Sequence, residues 1–242
     1  MPDLINQSEI KIPAHDGGAF SAYVALPNVT PAPAIIMIQE IFGVNQEMRD
    51  KCDEMARQGY IAIAPDLFWR IEPGIELSDN KPEEIERAFE LYNNFDINAG
   101  IEDLKTTLGY LRNRKECMGQ VGCVGYCLGG FLAFAMSIES NIDASVSYYG
   151  VNIPSLLERE DEIQTPLLMH IAEKDEFVPP EDQEQIKAVL ANHPHANAHT
   201  YKGQNHAFAR VNGAHYNEEA ANLANQRTAD FLTNTLKQTK AA

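Results

Sequence analysis

The chain has 242 residues, of which 44% are hydrophobic and 22% charged, and it carries a net charge of -16. That is ordinary globular composition in a chain long enough to bury most of the surface its unfolded form exposes, so disulfide staples are not needed. So acidic a balance leaves nothing to neutralise phosphates, which argues against nucleic acid as a partner; an acidic surface of this kind usually serves solubility.

The elements follow in order. "SEIKIPAH" and "AFSAYVALP", joined by Asp16-Gly17-Gly18, read as an antiparallel hairpin at a sheet edge. "AIIMIQ" (34–39) is a short apolar strand, and "NQEMRDKCDEMARQG" is an amphipathic helix closed by Gly59. "YIAIAPDLF" is a strand that Pro65 ends. Residues 66–96 break the rhythm: they are acidic, carry Pro73 and Pro82, and include Phe68, Trp69, Phe89, Tyr92 and Phe95. A segment of that length is expected to be a lid, or with equal right a capping helix over its own small core. "INAGIEDLKTTLGYLRNRK" puts Ile101, Leu104, Leu108 and Leu111 on one helix face. The strand "QVGCVG", a glycine-rich turn and the helix "FLAFAMSIES" come next. "ASVSYYG" and "PLLMHIA" are strands separated by a short helical stretch after Pro154. A helix near Pro180, the strand "ANAHTY" and a long helix in "HYNEEAANLANQRTADFLTNTLKQ" close the chain.

Near-continuous apolar strands alternating with helices predict an α/β fold, with a mainly parallel sheet, helices on both faces and the N-terminal antiparallel hairpin. A single domain over 1–242 is expected, with 66–96 a lid or cap insertion. Cys52, Cys117, Cys123 and Cys127 show neither a paired framework nor metal-ligand spacing. The N-terminal stretch lacks the apolar core of a signal peptide, and no apolar run spans a bilayer. These features point to a cytoplasmic monomer with free thiols, no membrane contact and no metal.

The chemistry gathers around Gly125-Tyr126-Cys127-Leu128-Gly129-Gly130. Gly-x-Cys-x-Gly between an apolar strand and a helix suits a nucleophile, which must stand on a sharp turn above the sheet. Gly125 and Gly129 leave room for that turn, Gly130 allows close helix packing, and the amino end of the following helix favours a thiolate. Taken alone, the motif reads at least as well as a tight turn holding an inert cysteine. The chain order nucleophile, acid, histidine is the stronger signal. Asp175 lies three residues past "PLLMHIA", and His206 lies in a polar loop after the last strand. Of the other histidines, His170 sits in a strand as a core residue, and His193, His195 and His199 surround a helix-to-strand connection without supporting ligands. His15 and His215 have no constellation. Glu40, at the carboxyl end of a strand, is either an ionisable site residue or a solvated loop carboxylate. Arg210, four residues past His206, either holds an anionic substrate or forms a surface ion pair.

With these residues in place, "QEIFGVN", "GYCLGG", "SYYGV", "KDEFVP" and "HAFAR" together resemble the dienelactone hydrolase (carboxymethylenebutenolidase) family of the α/β-hydrolase fold, over nearly the whole chain. The resemblance implies a Cys127–His206–Asp175 triad that needs no cofactor, with Glu40 helping to deprotonate the thiol. It implies an oxyanion hole from the backbone N–H groups of Leu128 and Ile41, with Tyr149 and Arg210 binding substrate. Two positions depart from the family pattern: its second carboxylate-binding arginine falls at Ile85, and a neighbouring tyrosine falls at Phe89. Arg87, two residues away, is rotated by about 200° on a helix and is no substitute. The expected activity is cysteine-dependent hydrolysis of a small lactone or ester, of the type that converts 4-carboxymethylenebut-2-en-4-olide to maleylacetate. The alternative is a carboxylesterase or thioesterase with a less anionic substrate. A thiol redox protein using Cys123 to resolve Cys127, and a non-catalytic binding module, are the readings from other classes.

Overall fold

The computed structural model of the protein describes residues 6–237. Eight strands form one sheet in the order β1-β2-β4-β3-β5-β6-β7-β8, and the chain divides into two compact units with the boundary after Cys123.

In the first unit, β1 (Asn6–Pro13) pairs antiparallel with β2 (Ala19–Leu26), so that Asn6 faces Leu26 and Pro13 faces Ala19. Their turn runs through Gly17 and Gly18 at φ 101° and 81°, a region open to glycine and costly for other residues. β2 continues antiparallel onto β4 (Ile61–Pro65), and β3 (Ala32–Ile38) lies parallel to β4. Every residue of β3 and β4 is buried, as both faces of a parallel sheet require. Helix α1 (Gln46–Arg57) starts where the Asn45 side chain accepts the Met48 N–H, and it buries Met48, Cys52 and Met55 against the strands. Helix α3 (Ile97–Arg112) is capped by Asp96 and buries the expected Ile101, Leu104, Leu108 and Leu111.

Between β4 and α3 the 66–96 segment contains helix α2 (Pro82–Asn93), of which only Ala88 and Leu91 are buried. The segment is tied down at its base. Asp66 accepts the N–H groups of Phe68 and Gly74, and the Trp69 indole donates to Asp103 of α3 at 2.8 Å. Arg70 bridges the same Asp103 carboxylate to Asp16 of the hairpin turn. Phe68 meets Phe95 edge-on at 5.6 Å.

Strand β5 (Cys117–Tyr126) begins earlier than "QVGCVG" and runs through the boundary. The second unit continues with α4 (Leu128–Glu139), β6 (Ala144–Tyr148), β7 (Leu167–Ala172), α5 (Pro180–Leu190), β8 (Ala196–Tyr201) and α6 (Glu218–Leu232). Helix α4 is buried from Leu128 to Ile138, as a helix apolar all round must be. β6, β7 and β8 are parallel, with Tyr148 beside His170 and His170 beside His199. The element after Pro154 is a 3-10 helix, Ile153–Glu162. The last helix starts at Glu218 and not at His215, because Asn217 accepts the Ala220 N–H and sets the cap there. Among the described residues no helix is long and apolar enough to cross a membrane.

Candidate active site

The turn after β5 has the geometry of a nucleophile elbow. Cys127 adopts φ 56° and ψ -114°, an arrangement costing about 1–3 kcal/mol that persists only where surroundings enforce it. Two bonds enforce it here: the Cys127 N–H donates to the Tyr148 carbonyl at 3.1 Å, and the Phe131 N–H donates to the Cys127 carbonyl at 3.1 Å. The glycines are sterically required. A Cβ on Gly125 would lie 1.8 Å from the Gly129 carbonyl oxygen, and one on Gly130 would lie 2.6 Å from that of Tyr148. Leu128 is the first residue of α4, where N–H groups have no intrahelical acceptor and the helix dipole is positive.

The acid and the histidine come from neighbouring loops that are stitched together. The Glu173 N–H donates to the Tyr201 carbonyl at 3.2 Å and the Lys174 N–H to that of Gln204 at 2.8 Å. The Glu173 carboxylate in turn accepts the Gly203 N–H at 2.7 Å. In this frame His206 Nδ1 sits 2.8 Å and 3.0 Å from the two oxygens of Asp175, with both side chains almost fully buried. Burial works against charge on the His206 ring, but Cys127 and the Asp175 carboxylate outweigh it and push the pKa up to about 10. Nε2 makes no well-formed hydrogen bond, yet Cys127 raises the ring's pKa both through charge and as a hydrogen-bonding neighbour; catalytic contacts commonly tighten only with substrate bound. Cys127, Asp175 and His206 are thus brought together as their chain order predicts.

Several neighbours were silent in the sequence. The Phe177 N–H donates to Asp175 Oδ1 at 2.9 Å, and the Phe177 ring, 45% exposed, stands edge-on 4.8 Å from His206. Gln183, buried in α5, donates to the carbonyls of Val178 and Glu173 and so holds the acid loop. His215, read as having no constellation, has Nδ1 3.2 Å from the His206 carbonyl and steadies the histidine loop. Tyr149 is buried at φ 37° with its ring 5.1 Å from His206. Arg210 is half-buried on the same loop as His206, its N–H donating to the Ala207 carbonyl at 2.9 Å.

The remaining candidates lie in the first unit. Glu40 and Ile41 directly follow β3, and Glu40 is only 7% exposed, which rules out a solvated loop carboxylate. Ile85 is half-buried and Phe89 exposed, one turn apart on α2. Arg87 is held by Glu72 and Glu90 at 2.5 Å and 2.7 Å, so it does not take over the role of an arginine at position 85. His193 and His195 hydrogen-bond within their own connection and to the Glu160 carbonyl, His199 stacks on His170, and among the described residues no cluster has a metal-binding arrangement.

The pattern of the dienelactone hydrolase family matches residues 20–236. A carboxymethylenebutenolidase of Pseudomonas putida is 40% identical, with 92% of this chain and 94% of that protein covered. An Azospirillum brasilense protein provisionally given the same name is 50% identical, with 93% and 97% covered. The crystal structure of a provisionally named dienelactone hydrolase from Klebsiella pneumoniae superposes with a TM-score of 0.84 at 27% identity, covering 96% of this chain and 99% of that one. The strand order and the elbow are those of the α/β-hydrolase fold. The chain belongs to the dienelactone hydrolase family and is a hydrolase of ester or lactone bonds.

Proposed function

We propose that Cys127 is the nucleophile of this hydrolase, acting with His206 and Asp175 on a lactone or an activated ester. The observation that carries the reading is Cys127 on a strained elbow at the start of α4, in the neighbourhood of a buried His206 whose Nδ1 is 2.8 Å from Asp175. The Cys127 thiolate attacks the carbonyl carbon, and the oxyanion is held by the Leu128 N–H at the start of α4. His206, charged and oriented by Asp175, gives its Nε2 proton to the leaving alkoxide or enolate as the C–O bond breaks. Water then attacks the thioester while His206 takes up its proton; the C–S bond breaks, the acid is released, and the Cys127 thiolate beside the charged His206 is restored. Glu40 as a deprotonating carboxylate and the Ile41 N–H as a second oxyanion donor enter from the family resemblance; their position directly after β3 and their burial support it. A thiolate suits enol lactones and aryl esters, whose leaving groups are good, better than amides.

Turnover of a dienelactone and a short aryl ester by wild type and Cys127→Ala tests this. The variant is expected to be inactive, and equal rates would end the reading.

A less anionic substrate than a dienelactone acid is the second reading, favoured by Ile85 where the family carries an arginine and by the engagement of Arg87 with Glu72 and Glu90. A missing charge-assisted contact is worth about 1.5–3 kcal/mol. Ile85→Arg should therefore raise kcat/KM for anionic lactones selectively. No change in the ratio of anionic to neutral substrates would remove Ile85 from the pocket.

A further inference from the structure

Four buried polar side chains of the second unit, Tyr148, His170, Tyr201 and Thr228, form one connected chain that reaches Asn225 at the surface. His170 Nδ1 is 2.7 Å from the Tyr201 hydroxyl, and its Nε2 is 2.9 Å from Thr228 Oγ1. Thr228 Oγ1 is 2.7 Å from the Tyr148 hydroxyl, which donates to Asn225 Oδ1 at 3.0 Å. With the Asn225 amide oxygen towards Tyr148, as placed here, that oxygen can only accept, and one consistent direction for the chain follows. Tyr148 commits its proton to Asn225 and accepts from Thr228. Thr228 accepts from His170 Nε2–H, which leaves Nδ1 to accept from Tyr201. Five side chains are satisfied in one order, with no donor facing a donor. That order needs a neutral His170. Burial, helped by the charges of His199 and Arg227, holds its pKa well below the usual histidine value, and the remaining groups facing it, Tyr148, Thr228 and Tyr201, are hydroxyls.

The chain ends on the backbone that shapes the candidate site. The Tyr148 ring stacks 4.7 Å from Tyr126, the residue before Cys127, and 4.3 Å from His170. Its carbonyl receives the Cys127 N–H at 3.1 Å, the bond that holds the strained elbow. The next residue, Tyr149, donates its N–H to the His170 carbonyl at 2.8 Å and presents its ring to His206 from φ 37°. Two strained residues, Cys127 and Tyr149, are thus tied to the carboxyl end of β6. Strain of this kind persists only where the surroundings over-determine it.

We propose that Tyr148 and Thr228 are positioning residues: their hydroxyl chain clamps α6 to the end of β6 and so fixes the carbonyl and ring that aim Cys127 and His206. They touch no reacting atom, and the proposal rests on Cys127 being the nucleophile. Thr228→Val keeps the shape of the side chain and removes the hydroxyl; Thr228→Ser keeps the hydroxyl. Thr228→Val should lower kcat for an aryl ester about tenfold with KM within about twofold, as misplacement of reacting groups does. Thr228→Ser should restore it. Tyr148→Phe should match Thr228→Val, and the double variant should be no slower than either, because both break one chain. The pH profile of Cys127 alkylation by iodoacetamide should move in both single variants. Leu190→Ala, a cavity in the core of α5 away from the chain, should lower the Tm and leave kcat and the alkylation profile alone. An unaltered kcat and alkylation profile in Thr228→Val, beside an inactive Cys127→Ala, would overturn the proposal alone. Wild-type turnover by Cys127→Ala would remove the reading beneath it, and the proposal with it.

Discussion

Two histidines of the second unit are equally hidden from water and differ in charge, one neutral and one protonated. His170 is 1% exposed and His206 4% exposed. His170 lies among hydroxyls, and burial, helped by His199 and Arg227, drives it neutral. His206 lies between Asp175 and Cys127, and these neighbours overcome the same burial penalty. Burial alone therefore does not decide a histidine's state; the sign of its neighbours does. One histidine becomes a hydrogen-bonding strut, and the other is the ring to which the proposed mechanism gives the proton transfer.

Removing each ring should separate the two roles most sharply. His206→Ala should lower kcat/KM for an aryl ester by about a thousandfold or more, the usual worth of a lost general acid–base group. His170→Gln should keep measurable turnover in the same assay and lose stability instead, and a loss as deep as that of His206→Ala would erase the distinction.

The charge states can be read directly. The carbon-bound proton signals of His206 should titrate near pH 10 in the wild type and at lower pH in Cys127→Ala, where only Asp175 still opposes burial. An unchanged midpoint would mean that the thiol contributes no charge to the pair.

Stability should fall on both sides of the ordinary histidine range. His206, whose pKa is raised on folding, stabilises fully below about pH 6.5, and that contribution disappears as the pH climbs towards 10. His170, whose pKa is depressed, stabilises above 6.5 and costs stability as the pH falls below it. Each slope is at most about 1.4 kcal/mol per pH unit. Urea midpoints measured from pH 5 to 9 should show both, and His206→Ala should flatten the alkaline side while leaving the acid side.

The smallest effect concerns charge at the substrate. Arg210→Gln should raise KM for an anionic lactone about tenfold, the loss of one charge-assisted contact, and leave a neutral ester within about twofold. Equal changes for both substrates would place Arg210 outside substrate binding.

Much of the site was legible because its residues follow strand ends in a fixed order. Cys127 comes directly after β5, Asp175 three residues after β7, and His206 five after β8. Local chemistry of this kind survives in one dimension: glycines for the elbow, an apolar strand before each loop, a helix start after the nucleophile. The His170 chain was not legible, since it depends on the register that sets Tyr148 beside His170, and on α6 folding back to bring Thr228 to both. Nothing in the spacing of residues 148, 170, 201 and 228 encodes that meeting. His215 escaped for the same reason, its partner being a backbone carbonyl and not a side chain with a signature. The late start of α6 shows the reverse case, in which a local cap at Asn217 overrides a helix-compatible composition that begins at His215.

The central claim is that Cys127 is acylated during turnover with help from the charged His206. Reaction with p-nitrophenyl acetate, quenched in acid within the first turnover and mapped by peptide mass spectrometry, tests it most directly. The account predicts a burst of p-nitrophenol and an acetyl group on Cys127, both absent in Cys127→Ala. An acetyl group on another residue, or a full burst from Cys127→Ala, would contradict it.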